Sequence, residues 1–406
     1  MNPTNNKKND RSAWLVLLGC CLMQGGSMGI VQNSMGVFFQ AISSDLGVSL
    51  GGISFYRTIN ALASCLLLPF VGKILYKADT RITLTISALL YGGSTMLMST
   101  FTRLEQWYGA SVVLGLASAM LIMASAPIIL ANWFTDKLGF AVGLSASFSG
   151  LMGMVGNMGA GKIATELGWR AAYVAVGGCS LLLLLPATLF LIRLQPEGCR
   201  EVRKSEPKYH LTARQWIPAG IIAAMVTTVV LCTGFSPEIV PFSVSLGKTV
   251  SYGTFLVSLT MLSNAFGKIL LGRINDRHGL VACGVIGAVI AAASFLFLFS
   301  SRELWLNVGG VLYGIGMALA LVTPPLLVRK FYAQQVYPQV YSMVMMLFTM
   351  FSSVGPGLFG AMYDHSGSFQ GVLWLCIALS LAYLALGGVL QQMLRRKNYV
   401  KEIGTS

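Results

Sequence analysis

Charged side chains are scarce in this chain. Asp, Glu, Lys and Arg make up 10% of its 406 residues, whereas 55% are hydrophobic. A typical soluble domain carries roughly 25% charged residues, so this chain has too little polar surface to cover a water-exposed globule of its size. The scarcity excludes a soluble protein and predicts an integral membrane protein.

The chain also lacks the residue clusters from which enzymes build active sites. Its three His residues lie in predicted loops, and most of its eight Cys residues lie inside apolar runs, with no spacing that suggests a metal site or a disulfide framework. No Ser/His/Asp set and no glycine-rich phosphate loop is present. We therefore predict that the protein is not an enzyme and holds no metal or cofactor.

Acidic residues are half as frequent as basic ones, 14 against 28, and the formal net charge is +14. In a soluble protein this surplus would favour nucleic acid as a partner. Here 21 of the 28 basic residues fall on one side of the predicted membrane and five on the other. Because basic loops stay inside, both termini are predicted to be cytoplasmic, at the cell membrane. Anionic membrane lipid then explains the charge without nucleic acid.

Long apolar runs dominate the rest of the sequence. A helix that crosses the hydrocarbon core, ~30 Å thick, needs about 20 largely apolar residues. Twelve such runs predict an all-α protein with twelve transmembrane helices: Ala13–Phe38, Leu50–Leu75, Ile82–Thr100, Trp107–Ala131, Phe140–Ala160, Ala171–Ile192, Trp216–Ser236, Tyr252–Leu271, Val281–Ser300, Leu304–Val328, Val340–Met362 and Val372–Leu394.

A polar segment over residues 193–214 divides the twelve runs into two sets of six. A weak internal repeat of this kind is common in secondary transporters. We therefore predict two six-helix bundles, residues 1–192 and 215–406, joined by a cytoplasmic linker over residues 193–214. This organisation favours transport by alternating access.

Residues 272–279, between the eighth and ninth runs, read Gly-Arg-Ile-Asn-Asp-Arg-His-Gly. They resemble the cytoplasmic loop motif G-x-x-x-D-R-x-G of the major facilitator superfamily. The matching loop over residues 72–81 has Tyr76 where the motif has Asp. The resemblance implies that Asp276, with Arg273 and Arg277, belongs to a gating network that latches the inner face in one state. The alternative is that these residues only anchor the loop inside.

A second local signature narrows the resemblance. Residues 132–141, Asn-Trp-Phe-Thr-Asp-Lys-Leu-Gly-Phe-Ala, are similar to the W-F-x-x-K-R-G-x-A stretch of the oxalate/formate antiporter and monocarboxylate porter branch. Gly168-Trp169-Arg170 fits the same branch. The resemblance implies the major facilitator fold and transport of a small organic anion, such as a monocarboxylate, by proton symport or anion exchange.

Lys268 is the strongest candidate for binding that anion. It lies eight residues before Asp276, about 12 Å along a helix from the inner end, near the depth at which transporters bind substrates. In the resembling branch an Arg at this position binds the substrate carboxylate, and Lys keeps its charge but not its planar fork. The alternative is a lysine that extends to the inner surface.

Neighbouring positions shape what Lys268 could bind. Met343–Gly357 in the eleventh run contains no Lys or Arg, whereas the oxalate transporter of the branch carries a second cation there. Charge balance therefore favours a monocarboxylate.

Proton-coupled animal members of the branch carry an Asp four residues before the cation. Here that position is Asn264, which cannot titrate but lies one turn from Lys268 and is predicted to contact the substrate.

Arg57 and Glu238 also stand out, because a charge at membrane depth is costly unless it has a partner or faces a cavity. Both are expected about 10–12 Å below the outer surface, where the second and seventh helices approach each other in this fold. We predict an Arg57–Glu238 ion pair that closes the outer gate and that protonation of Glu238 would weaken. Two alternatives stay open: Pro237 and Pro241 leave Glu238 in a loop, or Arg57 binds the substrate.

Two other functions compete with anion transport. Efflux of an amphipathic drug or metabolite would be favoured by a Lys268 that faces lipid headgroups. A ligand-binding membrane sensor, of a different class, would need a signalling domain, for which the central loop and the tails are short.

Overall fold

The computed structural model describes residues 3–48, 50–134, 136–196 and 213–395. Within these ranges the chain is almost entirely helical and forms no strand. Eleven of the described helices are long and apolar enough to cross a membrane. One of them is much longer than a bilayer requires, because the chain changes direction inside it.

That long helix, Tyr252–Leu298, covers 47 residues, about 70 Å at 1.5 Å per residue, more than twice the ~30 Å hydrocarbon thickness. Gly279 interrupts it with φ 84° and ψ 169°, a conformation that glycine reaches without a steric penalty. The last Gly of the loop motif is therefore the point where one membrane helix ends and the next begins. The prediction of an all-α fold with twelve spans is confirmed.

We number the spans α1 to α12 in chain order. They are α1 (Ser12–Gln32), α2 (Phe55–Lys77), α3 (Thr80–Thr100), α4 (Leu104–Trp133), α5 (Leu138–Leu167), α6 (Trp169–Leu191), α7 (Trp216–Ser245), α8 (252–278), α9 (280–298), α10 (Glu303–Phe331), α11 (Tyr337–Ser366) and α12 (Gln370–Met393).

Four predicted bounds differ by six residues or more. α5 and α8 each extend seven residues beyond their predicted ends at Ala160 and Leu271, and the ends of the first and seventh runs also differ. The first run ends at Phe38 in the prediction, whereas α1 ends at Gln32 and a 3₁₀ turn follows over Met35–Phe38. The seventh run extends nine residues further than predicted. It continues beyond Pro237 through a 3₁₀ turn, Ser236–Glu238, and a last helical segment, Ile239–Ser245.

The chain forms two compact units. Unit 1 comprises Met1–Thr135 and Phe148–Pro207, and unit 2 comprises Asp136–Ser147 and Lys208–Ser406. The first part of α5 thus packs with unit 2, although it precedes the polar segment in the sequence. The predicted division into two six-helix bundles stays a prediction. Most of the predicted linker, residues 197–212, lies outside the described residues.

Aromatic side chains form the core of unit 1. Trp107 on α4 is fully buried, and its ring centroid lies 5.4 Å from Tyr173 of α6 and 5.7 Å from Tyr56 of α2. Where α3 and α6 cross, Gly177 takes the place of a larger residue, because a Cβ there would lie 2.5 Å from Met96 Cγ. The unit is thus held by ring packing and by close helix approach.

Unit 2 has its own aromatic core. Phe235 of α7 is fully buried against Phe295, Tyr313 and Phe369, with ring centroids 5.8–6.3 Å apart. The Tyr313 hydroxyl donates to the carbonyl of Cys232 at 2.9 Å, so its polar end is satisfied inside the core.

Large apolar side chains also cover the exposed faces of both units. Leu66 and Phe190 of unit 1 are 76% and 75% exposed, and Leu304 and Trp374 of unit 2 are 68% and 60% exposed. A water-facing surface rarely carries such side chains in number, whereas a surface in contact with lipid does. The helices therefore bury one face in each unit and present the other to the bilayer.

Candidate substrate and gating site

Lys268 lies on α8 and is buried inside unit 2, with 3% of its surface exposed. Its Nζ donates a hydrogen bond to the backbone carbonyl of Ala146 at 3.1 Å. Ala146 lies on α5, in the part of that helix that belongs to unit 2. The side chain does not extend to the inner surface, so the snorkelling alternative does not describe this structure.

Burial makes the positive charge of the Lys268 ammonium costly. Removing a charge from water is expensive unless the charge is paired and hydrogen-bonded. A peptide carbonyl is a neutral acceptor, whereas a carboxylate also carries a negative charge. A carboxylate that reached Lys268 would add an opposite charge beside the hydrogen bond to Ala146.

The backbones of α5 and α8 approach closely around Lys268. A Cβ atom on Gly143 would clash with the Lys268 carbonyl oxygen. One turn further along α5, Ser147 Oγ donates to the carbonyl of Ala265 at 2.7 Å. Small residues four positions apart let two membrane helices come this close, and the contact fixes the height of Lys268 against α5.

Asn264, one turn before Lys268, is 9% exposed and already has a partner. Its Nδ2 donates to the carbonyl of Gly314 on α10 at 3.0 Å. A Cβ on Gly314 would clash with the carbonyl of Thr260, so α8 and α10 also pack closely here. In the structure the Asn264 amide joins α8 to α10, and its contact with the substrate stays a prediction.

Asp276 caps the start of α5. Its Oδ1 accepts from the backbone N–H of Gly139 at 2.9 Å, and its Oδ2 accepts from that of Phe140 at 2.7 Å. These N–H groups have no partner inside their own helix, and the helix dipole favours a negative charge at this end. Gly272 permits the approach, since a Cβ there would clash with the Gly139 carbonyl.

The two arginines of the motif loop have different surroundings. The Arg273 guanidinium lies over the ring of Phe140, 5.4 Å from its centroid, in cation–π range. Arg277 is exposed. The structure thus brings Asp276 and Arg273 to the same turn of α5, as a gating network requires, and the gating role of all three residues stays a prediction.

The matching motif loop, residues 72–81 at the junction of α2 and α3, forms its hydrogen bonds within unit 1 instead. Tyr76, which replaces the motif Asp, forms a hydrogen bond with the Asn132 side chain, Nδ2 to Oη at 2.9 Å. Asn132 Nδ2 also donates to the carbonyl of Leu194 at 3.1 Å. Asp79 caps its own helix, α3, accepting from the N–H of Arg81 at 2.9 Å.

Arg57 and Glu238 belong to different compact units, so their predicted ion pair stays a prediction. Arg57 is exposed on α2, beside the buried Tyr56. Glu238 is half-buried in the 3₁₀ turn that interrupts α7. The helix break expected from Pro237 is therefore present, yet it does not leave Glu238 fully exposed.

Gly168-Trp169-Arg170 marks a further charged contact in unit 1. Gly168 has φ 86°, and the two residues after it both reach Asp45. Arg170 Nη1 forms an ion pair with Asp45 Oδ2, and Trp169 Nε1 donates to the same oxygen at 3.1 Å. The Arg170 and Trp169 hydrogen bonds hold the pKa of Asp45 below its usual range.

Sequence reasoning missed several of these partners. The spacing of Gly139, Gly143 and Ser147 carries a small-residue signal that could have placed α5 against α8. No local signal points to Ala146, because a backbone carbonyl has no residue signature. Asp45 was also missed, since it lies far from Arg170 in the sequence.

Comparisons with known proteins agree with the fold and the motifs. The family model of the Major Facilitator Superfamily matches residues 16–247 and 216–401. The outward conformation of the transporter FucP matches with a TM-score of 0.70 at 12% identity, covering 93% of this chain and 98% of that one. At this identity the likeness shows the fold alone.

Three curated relatives extend over most of the chain. "Probable transporter MCH2" of Saccharomyces cerevisiae is 25% identical over 360 residues, 84% of this chain and 74% of its own. Monocarboxylate transporter 12 of Homo sapiens is 20% identical over 401 residues, which cover 89% of this chain and 77% of that protein. "Aspyridones efflux protein apdF" of Emericella nidulans is 25% identical over 391 residues, which cover 93% of this chain and 76% of that protein.

The family model covers nearly the whole chain, and the relatives and the solved structure are transporters rather than enzymes. The chain therefore belongs to the Major Facilitator Superfamily and is a multi-pass membrane transporter.

Proposed function

We propose that this transporter carries a small monocarboxylate by alternating access and that Lys268 binds the carboxylate. The observation that carries the proposal is the burial of the Lys268 ammonium on α8, with a backbone carbonyl 3.1 Å away. A charge at that depth marks a substrate or ion pathway by default. Similarity to monocarboxylate transporter 12 supports the same substrate class.

One buried cation suits one carboxylate. Residues 343–357 of α11 contain no Lys or Arg, and their buried members Phe348 and Thr349 carry no charge. A dicarboxylate would therefore bring a second negative charge to a site whose one proposed cation is Lys268. The cost of leaving that charge unpaired favours the monocarboxylate.

The proposed inner latch is the contact between Asp276 and the first N–H groups of α5. It joins the motif loop to the helix that also carries Ala146, the partner of Lys268. Breaking one contact would loosen the other, because both hold α5 against α8.

The proposed outer latch is the Arg57–Glu238 ion pair. Reversing either charge alone should abolish transport, and exchanging the two charges should restore it. If the exchange does not restore transport, the outer latch is ruled out.

The coupling is proposed to be anion exchange or proton symport that does not use position 264. Asn264 cannot carry a proton, and its Nδ2 is bonded to Gly314. Both termini are proposed to face the cytoplasm at the cell membrane, on the distribution of basic residues.

Efflux of an amphipathic metabolite is the second candidate, supported by the similarity to apdF. It predicts a different outcome at one residue. An efflux protein for neutral amphipathic compounds should not depend on a buried cation. The dependence of transport on Lys268 therefore separates the two functions.

The experiment is uptake of labelled monocarboxylates, dicarboxylates and amino acids into proteoliposomes, with and without an inward proton gradient. Lys268→Gln should lower uptake of the preferred monocarboxylate about 10- to 100-fold, since a hydrogen bond to a charged group is worth about 1.5–3 kcal/mol. Lys268→Arg should retain part of it. The matched control is Lys162→Gln, which removes an exposed lysine from α5.

Uptake that is unchanged in Lys268→Gln would contradict the anion site and favour efflux. A melting temperature within a few degrees of wild type shows that the variant is folded, so a loss of uptake can be assigned to binding. Dependence of uptake on the proton gradient would favour symport, and dependence on an internal anion would favour exchange.

A further inference from the structure

Unit 2 contains a cavity of about 170 Å³ between α7, α9, α10 and α12. Protein interiors hold few voids larger than a water molecule, and a dry apolar cavity of about 150 Å³ binds a molecule the size of benzene. This cavity is therefore too large to be a packing defect. It shares no lining residue with the Lys268 site, so its role is independent of the proposed function.

Missing side chains create the space. Gly284 of α9 and Gly387 and Gly388 of α12 line the cavity. A Cβ on Gly388 would meet no other atom within 4 Å, and one on Gly284 would make only ordinary contact with Tyr383 at 3.5 Å. Close helix packing therefore does not explain these glycines. Larger residues would fit, and they would fill the cavity.

The cavity borders a surface that faces lipid. Val281 and Val285, both on its wall, are 40% and 45% exposed, whereas Phe331 and Leu390 on the inner wall are 8% and 3% exposed. An apolar cleft with one wall open to the hydrocarbon region admits a chain that is itself apolar. Water is a poor occupant, because the walls offer few polar partners.

The polar residues of the lining identify the other end of the ligand. Lys330 and Gln391 line the same cavity, and the exposed Lys330 lies one residue before the end of α10. Arg329 is its neighbour, and the exposed Arg277 lies in the last turn of α8, just before α9 begins. These basic residues are on the side of the membrane that the positive-inside rule assigns to the cytoplasm, where anionic lipid is abundant.

We propose that this cavity binds one acyl chain of an anionic phospholipid, with Lys330 and Gln391 at the headgroup. The apolar walls take the chain, and the charge of Lys330 selects an anionic headgroup over a zwitterionic one. The site is specific, since it has a defined cavity, and so differs from the general attraction of basic loops to a membrane surface.

The test uses the full-length chain, purified in detergent and stripped of lipid. Native mass spectrometry and thermal unfolding are followed as palmitoyl-oleoyl-phosphatidylglycerol, the phosphatidylcholine with the same chains, or glycerol phosphate is added. Phosphatidylglycerol should bind one per chain more tightly than phosphatidylcholine, and glycerol phosphate should not bind. Gly388→Leu should weaken phosphatidylglycerol binding about tenfold, because the filled cavity excludes at least two methylene groups.

Two further variants separate the chain from the headgroup. Gly284→Leu fills the cavity from the opposite helix and should act like Gly388→Leu, so the test survives if one variant misfolds. Lys330→Gln should reduce the preference for phosphatidylglycerol and keep chain binding. The matched controls are Gly109→Leu, at an exposed glycine of α4 with open space around it, and Lys73→Gln, at an exposed lysine of α2.

Phosphatidylglycerol binding that is unchanged in both filled variants would overturn the acyl-chain site. Binding of glycerol phosphate alone would reduce it to a patch for phosphate. Equal binding of the two phospholipids by wild type would overturn the role of Lys330.

Discussion

The two motif loops, residues 72–81 at the end of α2 and residues 272–279 at the end of α8, occupy matching places in the two halves of the sequence but are built differently. In the second loop, the Asp276 carboxylate accepts from the N–H groups of Gly139 and Phe140, at the start of a helix far away in the sequence. In the first loop, Tyr76 pairs with Asn132, a neutral hydrogen bond. Of these two contacts, the carboxylate cap alone depends on a charge.

This difference matters for switching. A carboxylate at a helix N-terminus is held by the dipole and by two N–H groups, and a competing cation weakens it. A Tyr–Asn pair has no comparable control. We infer that the second loop is suited to open and close during transport, while the first stabilises unit 1 in every state.

The largest effect is expected where α5 and α8 approach each other most closely, near the second loop. Gly143→Ala places a Cβ against the Lys268 carbonyl, and overpacking of this kind typically costs about 1–3 kcal/mol. The control, Gly159→Ala on the same helix, has open space around it. Melting temperatures from intrinsic fluorescence should fall for Gly143→Ala only, together with loss of transport. Equal melting temperatures would show that α5 and α8 do not pack closely at Gly143.

The next effect compares two carboxylates. Asp276→Ala removes the cap of α5 and should lower stability by about 1–2 kcal/mol, as other capping substitutions do. It should also change the transport rate. Asp79→Ala removes the cap of α3 and should lower stability by a similar or smaller amount while transport per folded protein is unchanged. Proteoliposome uptake normalised to folded protein measures the transport rate of both variants. Equal transport defects in Asp276→Ala and Asp79→Ala would contradict a role in switching that belongs to the second loop alone.

The fold was predictable because the membrane simplifies the problem. Apolar runs of about 20 residues must be helices, since every backbone group needs a partner in lipid, and the twelve spans followed from that rule. The bounds at α7 were less accurate, because the sequence signal of Pro237 predicts a break but not that the chain resumes a helix afterwards.

The candidate site was predictable only in part. Lys268 and Asp276 stood out because a charge is conspicuous among apolar residues. Their partners did not, since Lys268 and Asp276 both bond to backbone atoms of α5, and any residue type supplies those atoms. Asn264 was predicted to contact the substrate because it lies one turn from Lys268. That spacing does not reveal that Gly314 lies opposite the Asn264 amide.

A smaller effect is expected for the neutral contact of the first loop. Tyr76→Phe removes the hydroxyl that is hydrogen-bonded to the Asn132 side chain and keeps the ring, so stability should fall by about 0.5–1.5 kcal/mol. The decrease should not depend on pH between pH 5 and 8, because neither partner titrates there. Thermal unfolding across that range measures it. A decrease in transport larger than the loss of folded protein would mean that the first loop also takes part in switching.

The smallest effect concerns Asp45, a carboxylate in unit 1 that bonds side chains rather than a helix start. Arg170 and Trp169 lower its pKa in the folded state, so the contact stabilises the fold fully above the unfolded value of about 3.9 and is lost as pH falls through the lowered folded value. The difference in melting temperature between wild type and Asp45→Asn should therefore be constant near neutral pH and shrink below about pH 4. It should also be small, because the pair is almost half exposed and solvent screens it. A difference that persists unchanged to pH 3 would mean that the Asp45 charge does not stabilise unit 1, which would leave the Asp79 cap of α3 as the carboxylate contact in unit 1 to compare with the Asp276 cap.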